Sequence, residues 1–528
     1  MRGEWPAPSR REAGDTTKHA LTSTSSLKSP RTNPAHTVRC LFVTRALMLA
    51  FVVMLPSVAR ASLRPPHFFS CNIGATGLKA HCGQVEVYEN RSLHAGRTIL
   101  LEVIKIDARH PTNRAVFWNP GGPGAADSSY VPAIASGQIA GELMKLHDTY
   151  DLVFVDNRGT GLSHEIRCDL YSARHPEYYF AHLFPDAPLR ACRAARSKDT
   201  DLSRYTTDIA ADDLDDVRAA LHYPQIVLDG GSYGTIFFLD YVRRHPTHVE
   251  SVVLSGVAPP GFYFIPLADA QAARTAMNDL IADCARDAKC HVHFPNLAAH
   301  FAALVRRFDR GPVSIRIRNA IGQEQAVSLS KEVFADQLRH TLYDSEGAAY
   351  VPYIVDEAYR GNDAPLAELV ETATRFFGRG LATGLNLSVT CAEDIPFITE
   401  AQIVRASSGS FQGDTRVRAQ QRACTIWNVQ RASPSFAQPV HSDAPILMIS
   451  GAEDPVTPPS YGRDALRYLP NGRQVIIPYA GHDSESDCTD ALIVAFVRTR
   501  DAKTLDASKC IGTSRRPPFA TSIKGFGG

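Results

Sequence analysis

The segment "LDGGSYGT", residues 228–235, surrounds one serine with three glycines. The apolar run "QIV" (225–227) precedes it and "IFFLDYVRRHP" (236–246) follows it, so the serine lies between a predicted strand and a predicted helix. A strand that turns this tightly into a helix leaves no room for neighbouring side chains, and glycine supplies that room. Gly230 to Gly234 match the pattern G-x-S-x-G, which in this context predicts an exposed, nucleophilic hydroxyl on Ser232.

Strand and helix patterns alternate on both sides of this turn. The segments "RAVFWN" (114–119), "YDLVFVDN" (150–157) and "VESVVLSGV" (249–257) predict buried strands, and "TDIAADDLDDVRAALH" (207–222) has helical spacing. Such alternation predicts a parallel sheet with crossover helices, opened here by a hairpin of "QVEVYEN" and "TILLEVIKIDA". We expect the acid run at 212–216 to be a solvated helix face, and Asp156 and Arg158 to hold the turn after their strand.

The expected fold class is therefore α/β, with a mostly parallel sheet flanked by helices. Residues 62–260 form the first part of the core and 436–510 its C-terminal part. Between them, the pattern of residues 261–435 predicts a mainly helical cap that contains one pair of strands. The composition of residues 511–528 predicts a flexible tail.

The N-terminal residues predict export. Residues 1–37 are rich in Ser, Thr, Arg and Pro and predict disorder, whereas 38–61 combine Arg39 and Arg45, an apolar run over 46–58 and an A-x-A cleavage site. We therefore expect 1–61 to be a disordered lead and signal peptide, with a translation start near Val38 as an alternative. The protein would be periplasmic or extracellular, without a membrane span after removal of the signal; a buried helix or a membrane anchor is the other interpretation.

Cysteine usage agrees with an oxidising compartment. Of 11 cysteines, Cys40 lies in the presumed signal, which leaves an even ten that fall into near-neighbour pairs: Cys71 and Cys82, Cys168 and Cys192, Cys284 and Cys290, Cys391 and Cys424, Cys488 and Cys510. Sequential disulfides are expected, although sequence does not fix connectivity. For "CHVHF" (290–294), a loop closed by Cys284 and Cys290 is favoured over a metal site, and no metal is predicted.

Composition is that of an ordinary globular protein. The 528 residues are 44% apolar and 21% charged with a net charge of +1, which gives no indication of nucleic-acid binding. The oligomeric state is not predicted.

A nucleophilic serine needs a histidine base and an orienting acid that follow it in the chain. The segments "ILMISGAEDPVTPP" and "VIIPYAGHDS" each provide a strand, a turn and one such residue. We assign Asp454 as the acid, with Glu453 as the alternative, and His482 as the general base. An oxyanion also needs N–H donors, for which Tyr233 and Gly122, with Gly121 next, are the candidates; a loop without chemistry is the other interpretation of "NPGGPG" (119–124).

Together these motifs resemble a known family. "NPGGPG", "DNRGTGLS", "GGSYGT", "GAEDPVTP" and "GH" resemble the proline iminopeptidase group of α/β-hydrolases, and "CGQVEVYENR", "TCAEDIPF" and "CTIWN" are similar to its secreted tripeptidyl aminopeptidase-like (TAP-like) branch. The resemblance spans roughly residues 80–510 and departs from the group at Pro120, where histidine is usual, and at Ser255, where an acid is expected. It implies an α/β-hydrolase fold and a serine exopeptidase that acts on free N-termini without a metal or organic cofactor.

A peptidase that acts on free N-termini needs a site for the substrate's amino group. A cationic N-terminus needs carboxylates, and Glu393 and Asp394 are the candidates, with ordinary surface acids as the alternative.

The leading hypothesis is a secreted aminopeptidase with a peptide substrate. An esterase or lipase acting on small esters or amides uses the same chemistry, and a non-catalytic binding protein could share the scaffold.

Overall fold

The computed structural model describes residues 63–524, apart from residue 75 and the ranges 172–176, 261–264 and 319–322. The predicted lead and signal peptide, residues 1–61, lie outside the described residues. Among the described helices, none has the length and apolar character needed to cross a membrane.

A central sheet organises the described part of the chain. The strands are β1 (His67–Asn72), β2 (Lys79–Tyr88), β3 (Thr98–Ile106), β4 (Ala115–Asn119), β5 (Asp151–Val155), β6 (Ile226–Gly231), β7 (Val249–Ser255), β8 (Val313–Arg318), β9 (Glu324–Leu329), β10 (Ile446–Gly451) and β11 (Gly472–Ile477). Nine of these described strands form one sheet in the order β1-β2-β3-β5-β4-β6-β7-β10-β11. The strands from β5 to β11 in this order pair in parallel, and β1, β2 and β3 pair antiparallel, as the predicted hairpin requires.

Helices cover both faces of this sheet. The helices before β8 are α1 (Val131–Ala135), α2 (Gly141–Leu146), α3 (Glu177–Ala181), α4 (Asp186–Arg196), α5 (Thr207–Ala220), α6 (Tyr233–Arg244), α7 (Ile265–Arg286), α8 (Ala288–His293) and α9 (Leu297–Asp309). Those after β9 are α10 (Lys331–Thr341), α11 (Ser345–Ala348), α12 (Val351–Tyr359), α13 (Ala364–Gly380), α14 (Thr383–Glu393), α15 (Glu400–Ser407), α16 (Thr415–Trp427), α17 (Pro459–Ala465), α18 (Asp487–Thr499) and α19 (Ser508–Thr513). Helices α7 to α16 and the β8–β9 hairpin lie in or next to residues 261–435, the segment for which the sequence predicts a cap and which we call the cap segment.

The central strands are apolar because both of their faces are covered. All five residues of β4 are buried. Ala115 and Phe117 enter the larger apolar cluster, and Val116 and Trp118 enter the smaller cluster on the opposite face. Because side chains alternate along a strand, a continuous apolar run is what a strand between two helical layers requires.

Helices α3 and α4, which the prediction assigns to the core, contact the cap segment. Arg193 of α4 donates from Nε to the Trp427 carbonyl at 2.6 Å, and the Leu183 amide donates to Glu332 at 2.7 Å. The Ser330 amide donates to the Phe180 carbonyl at 2.9 Å. Helices α3 and α4 thus bond to the cap segment although they precede Ser232 in the chain.

The end of the chain does not form the predicted free tail over the described residues 511–524. The Ala520 amide donates to the Ala349 carbonyl at 3.0 Å, and the Tyr350 hydroxyl donates to the Lys524 carbonyl at 3.1 Å. Phe519 and Ile523 pack against the larger apolar cluster. The prediction of a flexible tail is wrong here because these two apolar side chains find a surface to cover.

The disulfide prediction is confirmed. The five bonds join Cys71–Cys82, Cys168–Cys192, Cys284–Cys290, Cys391–Cys424 and Cys488–Cys510. Cys290 is therefore a disulfide cysteine rather than a metal ligand.

The acid run at 212–216 is not the solvated face that its composition predicts. Asp213 is 2% exposed and accepts two bonds from the fully buried Arg158, at 2.6 Å from Nε and 2.8 Å from Nη2. Arg158 also donates to the carbonyls of Glu89 and Arg204, while Asp156 accepts from the Ser128 and Leu162 amides. The predicted role of Asp156 and Arg158 in holding the turn agrees with these bonds.

This ion pair yields a stability prediction. The change Asp213→Ala should lower the free energy of unfolding by about 3–5 kcal/mol, because it leaves the Arg158 guanidinium buried without its carboxylate. Asp216, whose side chain is 44% exposed, pairs with the partly exposed Arg91, and Asp216→Ala should cost about 1 kcal/mol or less. Urea unfolding with the disulfides intact measures both; equal costs would contradict the account.

Candidate active site

Ser232 lies at a strained turn between β6 and α6. Its φ of 53° and ψ of −122° are unusual for a residue with a side chain. The Ser232 amide donates to the Ser255 carbonyl at 2.9 Å, and the Ser232 carbonyl accepts from the Thr235 amide and hydroxyl. These bonds hold a conformation that costs of order 1–3 kcal/mol, and such strain is concentrated at functional sites.

The flanking glycines are required by close packing at this turn. A Cβ atom on Gly230 would lie 2.6 Å from the Phe238 ring, and one on Gly234 would lie 2.6 Å from the Asn119 carbonyl oxygen. Both distances are far inside van der Waals contact. At Gly230 and Gly234, two of the three glycines around Ser232, a side chain would therefore clash with its neighbours.

Asp454 and His482 are brought together by the neighbouring parallel strands β10 and β11. His482 Nδ1 lies 2.9 Å from Asp454 Oδ2, and the His482 side chain is 11% exposed. The other oxygen of Asp454 accepts from the Val456 and Thr457 amides at 2.8 Å each. Glu453, the alternative acid, instead pairs with Arg516, so the structure brings Asp454 rather than Glu453 to the imidazole.

The pKa values of the pair move apart. Burial alone would lower the pKa of His482, but the Asp454 carboxylate, together with the charge of Asp483, outweighs burial and leaves that pKa above its ordinary value. Burial likewise would raise the pKa of Asp454, but His482 and Thr457 outweigh it and leave that pKa lowered. The pair is therefore suited to hold a proton on the imidazole beside an ionised carboxylate.

His482 stands at the same end of the sheet as Ser232. A Cβ on Gly256 would lie 3.0 Å from Cε1 of the imidazole, and Gly256 directly follows Ser255, whose carbonyl binds the Ser232 amide. Thr457, whose hydroxyl lies 3.1 Å from His482 Nδ1, lines the same cavity as Ser232. From the cap, the Tyr343 ring packs 4.9 Å from the imidazole ring.

The predicted oxyanion donors also border this cavity. Gly122 and Tyr233 line it beside Ser232. The Gly121 amide instead donates to Asn119 Oδ1 at 3.0 Å, which favours Gly122 over Gly121 as the donor. The Asn119 amide group in turn donates to the buried Asp127 at 3.1 Å, a support for the loop that sequence analysis missed.

A cavity of about 160 Å³ lies between Ser232 and the cap. Its charged walls come from cap helices: Asp269, Asp336, Arg339 and Arg416. Asp336 lies 3.0 Å from Arg339. Burial alone would raise the pKa of Asp336, but Arg339, together with His340 and Arg416, outweighs burial and holds that pKa at about 2. Asp269 is 1% exposed, and its Oδ1 has no hydrogen-bond partner among the described residues.

Asp269 differs from Asp336 in its electrostatic balance. Burial raises the pKa of Asp269 and is only partly opposed by Arg339 and Arg416. Its Oδ2 lies 3.7 Å from Arg339 Nε, which is beyond a strong hydrogen bond. One oxygen of this buried carboxylate thus has no hydrogen-bond donor among the described residues.

Glu393 and Asp394, the predicted acids for a substrate N-terminus, are not in the cavity wall. Both are buried, at 3% and 6% exposure. Glu393 accepts from the amide and hydroxyl of Thr207, at 2.6 Å each, and the Thr207 hydroxyl lies 2.7 Å from the Tyr233 hydroxyl. Glu393 therefore supports Tyr233, the residue after Ser232, through Thr207. Asp269 and Asp336 line the cavity instead, and no local sequence pattern marks them.

One group of side chains in the described chain has the spacing of metal ligands. Ligand atoms of Asp215, His245 and His248 lie within 4.8 Å of one another. Arg218 and Tyr241 donate to the same oxygen of Asp215, at 2.7 and 2.9 Å. The carboxylate is thus already bonded within an ion-pair cluster that includes a cation.

The model of the α/β hydrolase fold family matches residues 115–484. Carboxylesterase B of Mycobacterium tuberculosis is 27% identical over 427 residues, covering 74% of this chain and 78% of that protein. Serine protease Hip1 of Mycobacterium tuberculosis is 25% identical over 469 residues, covering 79% and 85%. A tripeptidyl aminopeptidase of Streptomyces coelicolor is 28% identical over 198 residues, covering 34% and 35%.

The His482–Asp454 bond predicts a titration that histidine NMR can measure. In the wild-type protein the imidazole should titrate above about pH 6.5, so protonation of His482 stabilises the fold below that pH and this contribution is lost as pH rises through the folded pKa. In Asp454→Asn the burial remains and the carboxylate charge is lost, so the pKa should fall below its ordinary value. Signals of the exposed His291 should be unaffected; an unchanged His482 titration would refute the pairing.

Proposed function

The chain belongs to the α/β-hydrolase family, and from that premise we propose that it is a serine hydrolase with the triad Ser232, Asp454 and His482. The observation that carries the proposal is the buried 2.9 Å bond between His482 and Asp454. It lies at the same end of the sheet as the strained turn that carries Ser232. A nucleophile, a base and an orienting acid are the minimum for covalent catalysis by serine.

The reaction follows from these positions. His482 accepts the proton of the Ser232 hydroxyl as its oxygen attacks the scissile carbonyl carbon. Asp454 holds the imidazole through Nδ1 and stabilises the charge that it acquires. The Gly122 and Tyr233 amides bind the oxyanion, and His482 then returns the proton to the leaving group. Water, deprotonated by the same imidazole, releases the acyl group from Ser232.

The proposed substrate is a peptide with a free N-terminus, which belongs to the chemistry of the TAP-like branch. Support comes from the cap, which encloses the cavity and places the carboxylate of Asp269 beside it. A substrate ammonium would donate to the unpartnered Oδ1 of Asp269, forming a charge-assisted bond. Asp269 replaces Glu393 and Asp394 in this role because Glu393 is bonded to Thr207 and neither acid lines the cavity.

An esterase acting on small esters or amides is the second candidate. Apolar and aromatic side chains of Leu183, Phe184, Tyr171 and Leu381 share the cavity wall with the charged groups. An apolar acyl group would pack on this part of the wall without any need for Asp269. A relative named carboxylesterase agrees with this alternative.

We also propose that the protein is exported. The five disulfides are typical of oxidising compartments such as the periplasm or the cell exterior. The features of residues 1–61 agree with removal of a signal peptide on export.

Covalent labelling tests the catalytic assignment. A fluorophosphonate probe should modify Ser232 in the folded, disulfide-intact protein, and Ser232→Ala should abolish the modification, because the probe needs an activated serine. Peptide mapping by mass spectrometry identifies the modified residue. Labelling that is absent from the wild-type protein would favour a non-catalytic protein on this scaffold.

Paired substrates test the aminopeptidase assignment. Peptide amides with a free N-terminus should be cleaved, and their N-acetylated forms should not, because acetylation removes the ammonium. Asp269→Asn should raise KM for the free form roughly tenfold or more through loss of a charge-assisted bond. Asp279→Asn, an exposed change on the same helix α7, is the control and should leave KM unchanged. Equal cleavage of blocked and free substrates would favour the esterase.

A further inference from the structure

The C-terminal strap, which we define as residues 511–524, contacts both the core and the cap segment. It begins after Cys510, which is bonded to Cys488 at the start of α18. Helix α18 follows residues 478–486, which we call the His482 loop. The Ser514 hydroxyl then donates to the carbonyl of Pro478, in the segment that leads from β11 to His482. The strap is therefore fixed to the segment that leads from β11 to His482.

Arg516 of the strap bridges the cap and the core. Its Nε donates to Asp283 of cap helix α7 at 2.6 Å, and its Nη2 contacts both Asp283 and Glu453. Glu453 directly precedes Asp454 in the turn after β10. The Arg516 side chain is 10% exposed, and its guanidinium lies 5.6 Å from the centres of the Tyr479 and Phe519 rings.

The far end of the strap lies on the cap. Ala520 and Lys524 are bonded to Ala349 and Tyr350, which lie between helices α11 and α12. Phe519 and Ile523 pack on the larger apolar cluster. One short segment thus contacts the His482 loop, the turn that carries Asp454, and two parts of the cap.

The chemistry of this bridge is specific to arginine. A planar guanidinium can bind two carboxylates at once, whereas a lysine ammonium is a point charge on a flexible stem. Without Arg516, the largely buried carboxylates of Asp283, which also contacts Arg286, and Glu453 would lose the cation that they share. Repulsion between them would then favour separation of α7 from the turn after β10. The neighbouring Arg515 is exposed to solvent and bonds to the carbonyls of Gly512 and Ser514 in its own segment.

We propose that the C-terminal strap holds the cap against the turn that carries Asp454, and that Arg516 is a positioning residue for the Asp454–His482 pair. This inference rests on the proposed hydrolase function. Arg516 acts through Glu453, and it contacts no atom that the proposed reaction changes. The strap thereby couples the placement of the cap over the cavity to the geometry of the base.

The test compares Arg516→Ala with Arg515→Ala, two adjacent arginines of which one forms the bridge. Arg516→Ala should lower kcat by roughly one to two orders of magnitude, since small displacements of catalytic groups have effects of this size. Arg515→Ala should match the wild-type protein. Hydrogen exchange, which needs no activity, should show faster exchange in residues 452–457 and in α7 for Arg516→Ala alone.

A double-mutant cycle separates positioning from general stability. In a Glu453→Gln background the further change Arg516→Ala should lower kcat much less than it does in the wild-type background, because its effect passes through Glu453. If Arg516→Ala does not fold, Arg516→Lys is measured instead and should show a smaller loss in kcat with the same exchange pattern.

Equal kcat and equal exchange in the Arg516 and Arg515 variants would overturn the proposal, as would Arg516→Lys indistinguishable from wild type where it is the variant measured. An Arg516 effect of the same size in both Glu453 backgrounds would also overturn it. Failure of the hydrolase function is recognised separately, by absent fluorophosphonate labelling of Ser232 in the wild-type protein.

Discussion

The buried hydrogen bond between His482 and Asp454 is the interaction on which the proposed chemistry depends. Neither residue alone would be useful: burial would leave the imidazole a weaker base, and burial would neutralise the carboxyl. Together, each stabilises the charged form of the other. The parallel register of β10 and β11 makes this possible, because it places their two carboxyl ends and the turns after them side by side.

The cap segment contributes charged side chains to the wall of the same cavity. Its helices place two acids and two arginines around a cavity of about 160 Å³, so a ligand must match a pattern of charge as well as a shape. Arg339 forms an ion pair with Asp336 and balances its negative charge, whereas Asp269 has one oxygen without a hydrogen-bond partner among the described residues. This asymmetry between two carboxylates, rather than the number of acids, is the support for the proposed recognition of a cationic substrate group.

Local sequence patterns predicted the α/β fold and the disulfides because each has a local signature: periodicity, a glycine turn or a nearby cysteine. The positions of Ser232, Asp454 and His482 followed from strand ends in the same way, and Asp454 could be preferred over Glu453. Asp269, Asn119 and Arg516 could not be found, because their roles depend on contacts between segments far apart in the chain. Glu393 was misplaced for the same reason: sequence shows an acid beside a cysteine but not that Thr207 binds it.

The central claim is that His482 activates Ser232. The most direct measurement is the second-order rate constant for modification of Ser232 by a fluorophosphonate in the wild-type protein and in His482→Ala, with both shown to be folded by circular dichroism. The account predicts a decrease of roughly 1000-fold or more in the variant, because the hydroxyl loses its base. Modification at the wild-type rate without the imidazole would contradict it.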